Sequence, residues 1–531
     1  MSATTGKRPP ATAAPAPRDE RWVALYVLCV GMLMIVLDVT VVNVALPSIQ
    51  DDLHFSTSSL AWVVNAYLIA FGGLLLLAGR LGDLVGRRSV FLAGIGLFTA
   101  ASLLCGLAQS QTMLILARFV QGIGGAMTSA VILGMIVTMF PEPREQAKAI
   151  GVYAFVASAG GSVGLLAGGV ITQSIDWHWI FFVNIPIGIA TAAFATRLLE
   201  RDKGIGLRAG ADIPGGVLIT SALMLGVYTI VKPAADYGWG AGRTLLLGGI
   251  SVALLVCFFV REATARNPLV PLRIFRSRNV VAANAIQILS VAGMFGMFFL
   301  GALYLRDVLG YDALQIGLAF LPVSLTMGTL SIRFSERLVT RFGARALVAP
   351  GLALIALALV LFARVPTQGS YFVHVMPSML LLGIGAGICF PALMNLAMSG
   401  VQPRDAGLAS GLVNTTAQIG GALGLAVLAT LSSAHSRRLL AQGHSSAAAL
   451  VGGYHLAFWI AAALTLAAIA IVPAVARPAA SRDVRPADEA PPAHEAQQPT
   501  RGGDAHAARE HEHGREHGRT RGGATLTEPG S

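Results

Sequence analysis

Fourteen apolar stretches, each long enough to cross a bilayer, dominate the sequence and leave it few possible folds. They lie near 22–46, 60–80, 90–108, 112–140, 150–172, 178–197, 213–232, 244–261, 280–305, 314–334, 345–363, 372–399, 407–433 and 454–476. A helical crossing takes about 20 such residues. Inside hydrocarbon the backbone polar groups must be satisfied within the protein, and uninterrupted runs of this length do so as helices. The chain is 55% hydrophobic and only 12% charged over 531 residues, against about 25% charge in soluble proteins. That balance excludes an ordinary soluble enzyme and predicts an all-α polytopic membrane protein embedded in a lipid bilayer. The first stretch has no small-residue cleavage pattern behind it, so it reads as an uncleaved span.

The formal charge of +11 raises nucleic acid as a partner, but the placement of the cations argues against it. With a cytoplasmic N-terminus, 19 Lys and Arg from Arg80 to Arg404 fall in inner loops. Six fall outside: Lys232, Arg243, Arg306, Arg364, Arg437 and Arg438. Positive charge accumulates on the cytoplasmic side of membrane proteins, so both termini are expected inside the cell membrane. Four cysteines (Cys29, Cys105, Cys257, Cys389) sit singly in apolar runs without metal-ligand spacing and read as packing residues. No cofactor and no metal is expected. Residues 1–21 and 477–531 are polar, the latter rich in Arg, Glu and His. Neither can bury a core, so both read as disordered cytoplasmic ends.

Two inner loops resemble each other. Gly79-Arg-Leu-Gly-Asp83-Leu-Val-Gly86-Arg87-Arg88 follows the second stretch, and Glu336-Arg337-Leu-Val-Thr-Arg341-Phe-Gly343-Ala-Arg345 follows the tenth. Spans one to six (22–197) and nine to fourteen (280–476) then form equivalent halves, with an inserted helix pair and its linkers at 198–279. Two six-helix halves around a central cavity is a transporter architecture. In the first loop, the glycines are expected to permit a tight turn, while Asp83 beside Arg87 and Arg88 supplies ion pairs that form or break as helices rock.

Within the apolar runs the ionisable residues are few. Asp38 is the one acid well inside a stretch, and Arg118 the one comparable base. A charge at mid-membrane costs about 2.5–3.5 kcal/mol on insertion scales, so such residues are expected to face a cavity and to work there. Arg118, Gly122, Gly125 and Ser129 share one helix face, with Gln121 beside it. Gly160, Gly164 and Gly168, with Gly169 adjacent, make a smooth face for a close helix contact. Asn43, Gln121, Asn284, Gln287, Asn414 and Gln418 are the candidate polar lining of a substrate cavity.

Several of these segments resemble the Major Facilitator Superfamily, in particular its fourteen-helix drug:proton antiporter branch. Leu37-Asp38-Val-Thr-Val-Val-Asn43-Val-Ala45-Leu46-Pro47 is similar to the first-helix signature of that branch. Gly79 to Arg88 is similar to the superfamily loop that gates the cytoplasmic side, and Arg118-Phe-Val-Gln121-Gly122-Ile-Gly124-Gly125 to the fourth-helix motif linked to proton coupling. Trp177-His178-Trp179-Ile-Phe181-Phe-Val-Asn184-Ile-Pro186, Asn267-Pro268-Leu-Val-Pro271-Leu-Arg273 and Asn414-Thr-Thr-Ala417-Gln418-Ile-Gly420-Gly421 also match. Gly160 to Gly169 resembles the antiporter motif of helix five, with Leu165 where that motif has proline. The resemblance implies a proton-driven exporter of hydrophobic, including cationic, small molecules such as antibiotics, working as a monomer. It assigns proton coupling to Asp38 and Arg118, and the cytoplasmic gate to Gly79, Asp83, Gly86, Arg87 and Arg88. A dedicated exporter of one natural product is the nearest alternative. A polytopic membrane enzyme is a distant one, because no metal cluster or nucleophile elbow is present, and no phosphate-cradling Gly-rich loop holds any of the four lysines.

Overall fold

A computed structural model describes residues 18–474 except 203, 207–209, 400 and 402–405. The expected disordered ends at 1–17 and 477–531 and the loop cations Lys203, Arg208 and Arg404 fall outside the described residues, whereas 18–21, expected within the disordered N-terminal end, already belong to the first helix. The described chain is helical without strands. Numbered along the chain, the long helices are α1 (Arg18–Leu53), α2 (Thr57–Val85), α3 (Arg87–Gly106), α4 (Gln111–Met139) and α5 (Pro143–Ser174). They continue as α6 (Trp179–Leu198), α7 (Ile213–Val231), α8 (Gly242–Thr264), α9 (Arg278–Asp307) and α10 (Ala313–Phe342). The last four are α11 (Ala344–Phe362), α12 (Tyr371–Met398), α13 (Ala406–Ala441) and α14 (Ser446–Ile471). Thirteen of the described helices are long and apolar enough to cross a membrane. The 32-residue α5 completes the fourteen.

Several helices outrun their apolar stretches. The 36 residues of α1 extend about 54 Å at 1.5 Å per residue, well beyond a hydrocarbon core of about 30 Å. The helix satisfies its own backbone, so it continues into the polar zone. At its C-terminal end, Asp51 pairs with Arg306 of α9, and Asp52 accepts from the Trp177 indole at 3.1 Å. In α6 the helix is interrupted at Val183, because Pro186 has no N–H to give the Phe182 carbonyl.

Helix pairing repeats with an offset of eight. In the first half α1 packs on α5 and α6, α4 on α2 and α3, and α3 on α6. In the second, α9 packs on α13 and α14, α12 on α10 and α11, and α11 on α14. Small residues make the corresponding crossings. A Cβ on Gly124 would lie 2.9 Å from the Gly94 carbonyl oxygen, and one on Gly385 would lie 2.6 Å from that of Gly351. Two further contacts, α2 with α13 and α5 with α10, join the halves, and the α7–α8 pair leans on α2 and α13 through α7. These are the two six-helix halves and the inserted pair expected from the repeated loops.

The glycine face of α5 meets α1. Gly160 abuts Leu33 and Val36, Gly164 abuts Thr40, and a Cβ on Gly168 would lie 3.0 Å from the Val41 Cα. Leu165 is buried, and its carbonyl lies against Gly317 of α10, while Gly169 meets Ala313 and Leu314. One side of α5 therefore grips its own half and the other side the opposite half. Gly168→Val is expected to lower the melting temperature of detergent-solubilised protein, since overpacking against backbone costs about 1–3 kcal/mol. Gly161→Val, where a Cβ meets nothing within 4 Å, is the control that should melt like the parent.

Candidate functional site

The polar centre of the first half is built around Asp38 of α1 and Arg118 of α4, whose residues are 2% and 1% exposed. On α4, Gly122 and Gly125 face Tyr67 of α2, so the two helices approach closely enough for Arg118 Nε to donate to the Val63 carbonyl at 3.0 Å. Its guanidinium also lies 4.4 Å from the centre of the Tyr67 ring, a cation–π distance. Arg118 NH1 donates to Asp38 at 2.5 Å and to Gln121 Oε1 at 2.7 Å. The Gln121 amide nitrogen donates to the other Asp38 oxygen at 2.7 Å and to Ser102 at 2.8 Å. Asn184, at the break in α6, donates to that same Asp38 oxygen at 3.3 Å. One carboxylate thus ties together α1, α4 and α6, and through Gln121 and Arg118 also α3 and α2.

This geometry corrects one expectation. The cost of a charge in lipid leads to the expectation that Asp38 and Arg118 face a cavity, with Gln121 in its polar lining, but all three are enclosed by helices of their own half. The α4 face of Arg118, Gly122 and Gly125 is turned to α2, because the glycines leave room there for a neighbouring backbone and not for solvent. Ser102 and Asn184 were not identified as partners from sequence. Ser102 carries no sequence signal, whereas Asn184 lies in the Asn184-Ile-Pro186 segment already singled out. Among the described residues, the Tyr67 hydroxyl and Asn184 Oδ1 are buried at this centre without a partner.

At the C-terminal end of α2, Asp83 pairs with Arg87 at 3.2 Å, and Arg87 also donates to the Gly134 carbonyl of α4 at 3.0 Å. Arg88 donates to the Thr196 carbonyl near the end of α6 at 2.5 Å. The expected loop from Gly79 onward is instead helix as far as Val85, and Gly79 makes no close contact. The turn is made by Gly86 alone, at φ +101°, a region that favours glycine. Gly343, at φ +81°, makes the equivalent turn between α10 and α11, and Arg345 donates to the Pro473 carbonyl beyond α14 at 3.1 Å. Thr340 and Ala344 stand where Asp83 and Arg87 would be. The turn and its outer arginine are therefore duplicated, and the ion pair is not.

The candidate cavity residues do not form one cluster. Asn43 is buried and turned back to the Val39 carbonyl of its own helix. Asn284 of α9 accepts from Thr416 of α13 at 2.7 Å, and Gln287 lies one turn further along α9, also buried. Asn414 is exposed and Gln418 half-buried, with the Gln418 Cβ where Gly72 lets α2 come close. The sequence also missed two buried acids, Asp212 and Glu262, because they sit beyond the ends of the apolar stretches. Asp212 pairs with Arg261 at 3.0 Å, and Glu262 accepts from the Val270 amide at 2.9 Å. Between α5 and α6, burial works to raise the Asp176 carboxyl, but hydrogen bonds from the His178 amide and ring hold it below the ordinary carboxylate range.

The family model described as the Major Facilitator Superfamily matches residues 28–425. The chain is 38% identical over 466 residues to the puromycin resistance protein pur8 of Streptomyces alboniger, covering 87% of this chain and 92% of that one. It is also 38% identical over 461 residues to the cephamycin export protein CmcT of Amycolatopsis lactamdurans, covering 86% and 93%. Its fold resembles the crystal structure of a bacterial homolog of the human lysosomal transporter Spinster. The TM-score is 0.64 at 16% identity, with coverage of 86% of this chain and 97% of the other. A family match across three quarters of the chain, carried on a duplicated bundle of fourteen helices, makes this multi-pass membrane protein a member of the Major Facilitator Superfamily.

Proposed function

We propose that the chain is a proton-driven exporter of hydrophobic, including cationic, small molecules such as antibiotics. The observation that carries this reading is the buried Asp38–Arg118 pair with Gln121, Ser102 and Asn184 around it. Such a carboxylate can lose its charge by taking one proton, and Arg118 would then lose its partner on α1 while keeping those on α2 and α4. Protonation therefore loosens α1 from α4 without dismantling the half. Unused hydrogen-bonding capacity at Tyr67 and Asn184 supports a hydrated route to the carboxylate. In this reading 22–197 and 280–476 are the rocking halves, 198–279 is the inserted pair, and Asp83, Gly86, Arg87 and Arg88 form the cytoplasmic gate. The Asp51–Arg306 pair between α1 and α9 supports a state closed at the outer face.

Relatives named for one antibiotic each, puromycin and cephamycin, favour a narrower second reading as the exporter of a single natural product. Efflux from loaded cells separates the readings. Loss of efflux of several unrelated lipophilic cations on adding a protonophore, at constant ATP, is the expected result. Efflux that ignores the proton gradient would sink the coupling proposal, and a response confined to one compound class would select the narrower reading. Both termini are placed in the cytoplasm on the 19 to 6 charge bias. Reporter fusions after Gln50, Gly86 and Ala487 should read outside, inside and inside. An outside signal at Ala487 would require an odd number of crossings.

A further inference from the structure

The linker leading from α6 into the inserted pair grips the gate turn. Asp202, exposed on that linker, accepts from the backbone N–H of Arg87 at 2.6 Å through one oxygen and from that of Arg88 at 3.2 Å through the other. These are the first two residues of α3, which follows Gly86 and has no side-chain cap of its own. The first N–H groups of a helix lack intrahelical acceptors, and a carboxylate placed there satisfies them and favours the positive helix end. Three and four residues on, the linker serves the other helix at the turn. The Ile205 and Gly206 amides donate to the Asp83 and Leu84 carbonyls of α2, each at 3.0 Å. Both helix ends that meet at Gly86 are thus completed by one strip of chain. A Cβ on Gly86 would lie 2.6 Å from the Asp202 carbonyl oxygen, so the close approach itself requires glycine.

The linker is tied down again further along. Arg80 donates to the Gly210 carbonyl at 3.3 Å. At the far end Asp212 caps α7 through the Gly215 amide and pairs with Arg261 of α8. We propose that Asp202 is a positioning residue for the cytoplasmic gate, and that the linker into α7 and α8 clamps the turn so that Asp83 and Arg87 stay in pairing register. The inserted helices then do more than lengthen the chain, because their N-terminal attachment sets the geometry of the gate. The inference rests on the gate assignment made above.

The test separates the clamp from that assignment. In full-length protein in detergent or proteoliposomes, Asp202→Ala should speed hydrogen exchange of amides 84–90 by about fivefold or more, the usual scale for losing a helix cap. Amides within α4 should stay at the parent rate. Substrate exchange should slow while substrate affinity stays within about twofold. Asp202→Asn retains one acceptor oxygen and should fall between parent and alanine, which also covers the case of an unstable alanine variant. If the clamp acts through the ion pair, Asp202→Ala should slow transport no further in an Asp83→Asn background. Parent-like exchange at 84–90 in both variants would overturn the clamp, and so would fully additive slowing in the double variant. If Asp83→Asn alone transports at the parent rate, the gate assignment fails instead, and amide exchange at 84–90 still decides whether Asp202 holds the turn.

Discussion

Asp38→Asn is expected to abolish accumulation of substrate against a gradient while leaving insertion, substrate binding and downhill exchange in place. The amide resembles the protonated acid in size and lack of charge, so the variant is held in one of the two protonation states that the proposed proton-driven cycle needs. The surroundings tolerate that state. Arg118 keeps Gln121 Oε1 at 2.7 Å, the Val63 carbonyl at 3.0 Å and the Tyr67 ring at 4.4 Å. The lost work is the whole coupling. Each pH unit is worth about 1.4 kcal/mol, or tenfold in substrate ratio, per proton. A neutral substrate would add about 2.3 kcal/mol per 100 mV of membrane potential. The measurement is substrate accumulation in proteoliposomes under an imposed pH gradient, with substrate-induced proton release from solubilised protein beside it. Uphill transport and proton release at the parent level would place the coupling carboxylate elsewhere, with Asp83 and Asp307 next to examine.

Arg118→Met should be the more damaging change to the fold. It leaves the Asp38 carboxylate buried with only the amide donors of Gln121 and Asn184 and no counter-charge, and it removes the tie to the Val63 carbonyl. Breaking a buried ion pair from one side costs about 3–5 kcal/mol, whereas removing both charges is far milder. The expected order of thermal stability is therefore parent, then the Asp38→Asn/Arg118→Met double variant, then Arg118→Met alone. The double variant should regain expression without regaining uphill transport. A double variant no more stable than Arg118→Met would show that the arginine serves α4 packing and not the carboxylate.

The number of helices, the repeated halves and the identity of the two charges inside apolar runs are all carried by local sequence. Hydrocarbon forces each apolar run to satisfy its own backbone, so length and continuity suffice to place spans. Asp38 and Arg118 stand out because charges are so rare in such runs. Which way they point was not legible. Helical periodicity orders residues around one axis, but it does not say which neighbour occupies each face, and the glycines on the Arg118 face admit α2. The same gap hid Ser102 and Asn184, separated from Asp38 by 64 and 146 residues. It also hid Asp202, 115 residues from the turn it caps.

Segment by segment, the chain already specifies its solvent, its fourteen apolar stretches, its repeated halves and the two charged residues set inside those stretches, because each is carried by the composition and order of segments in lipid. The folded arrangement adds that Asp38 and Arg118 pair and are sealed within one half, that Gly86 alone makes the turn from α2 to α3, and that the linker into α7 completes the helices meeting there. Those features depend on contacts between segments far apart in the chain, where the approach of two backbones, set by a few glycines, selects which polar groups find each other.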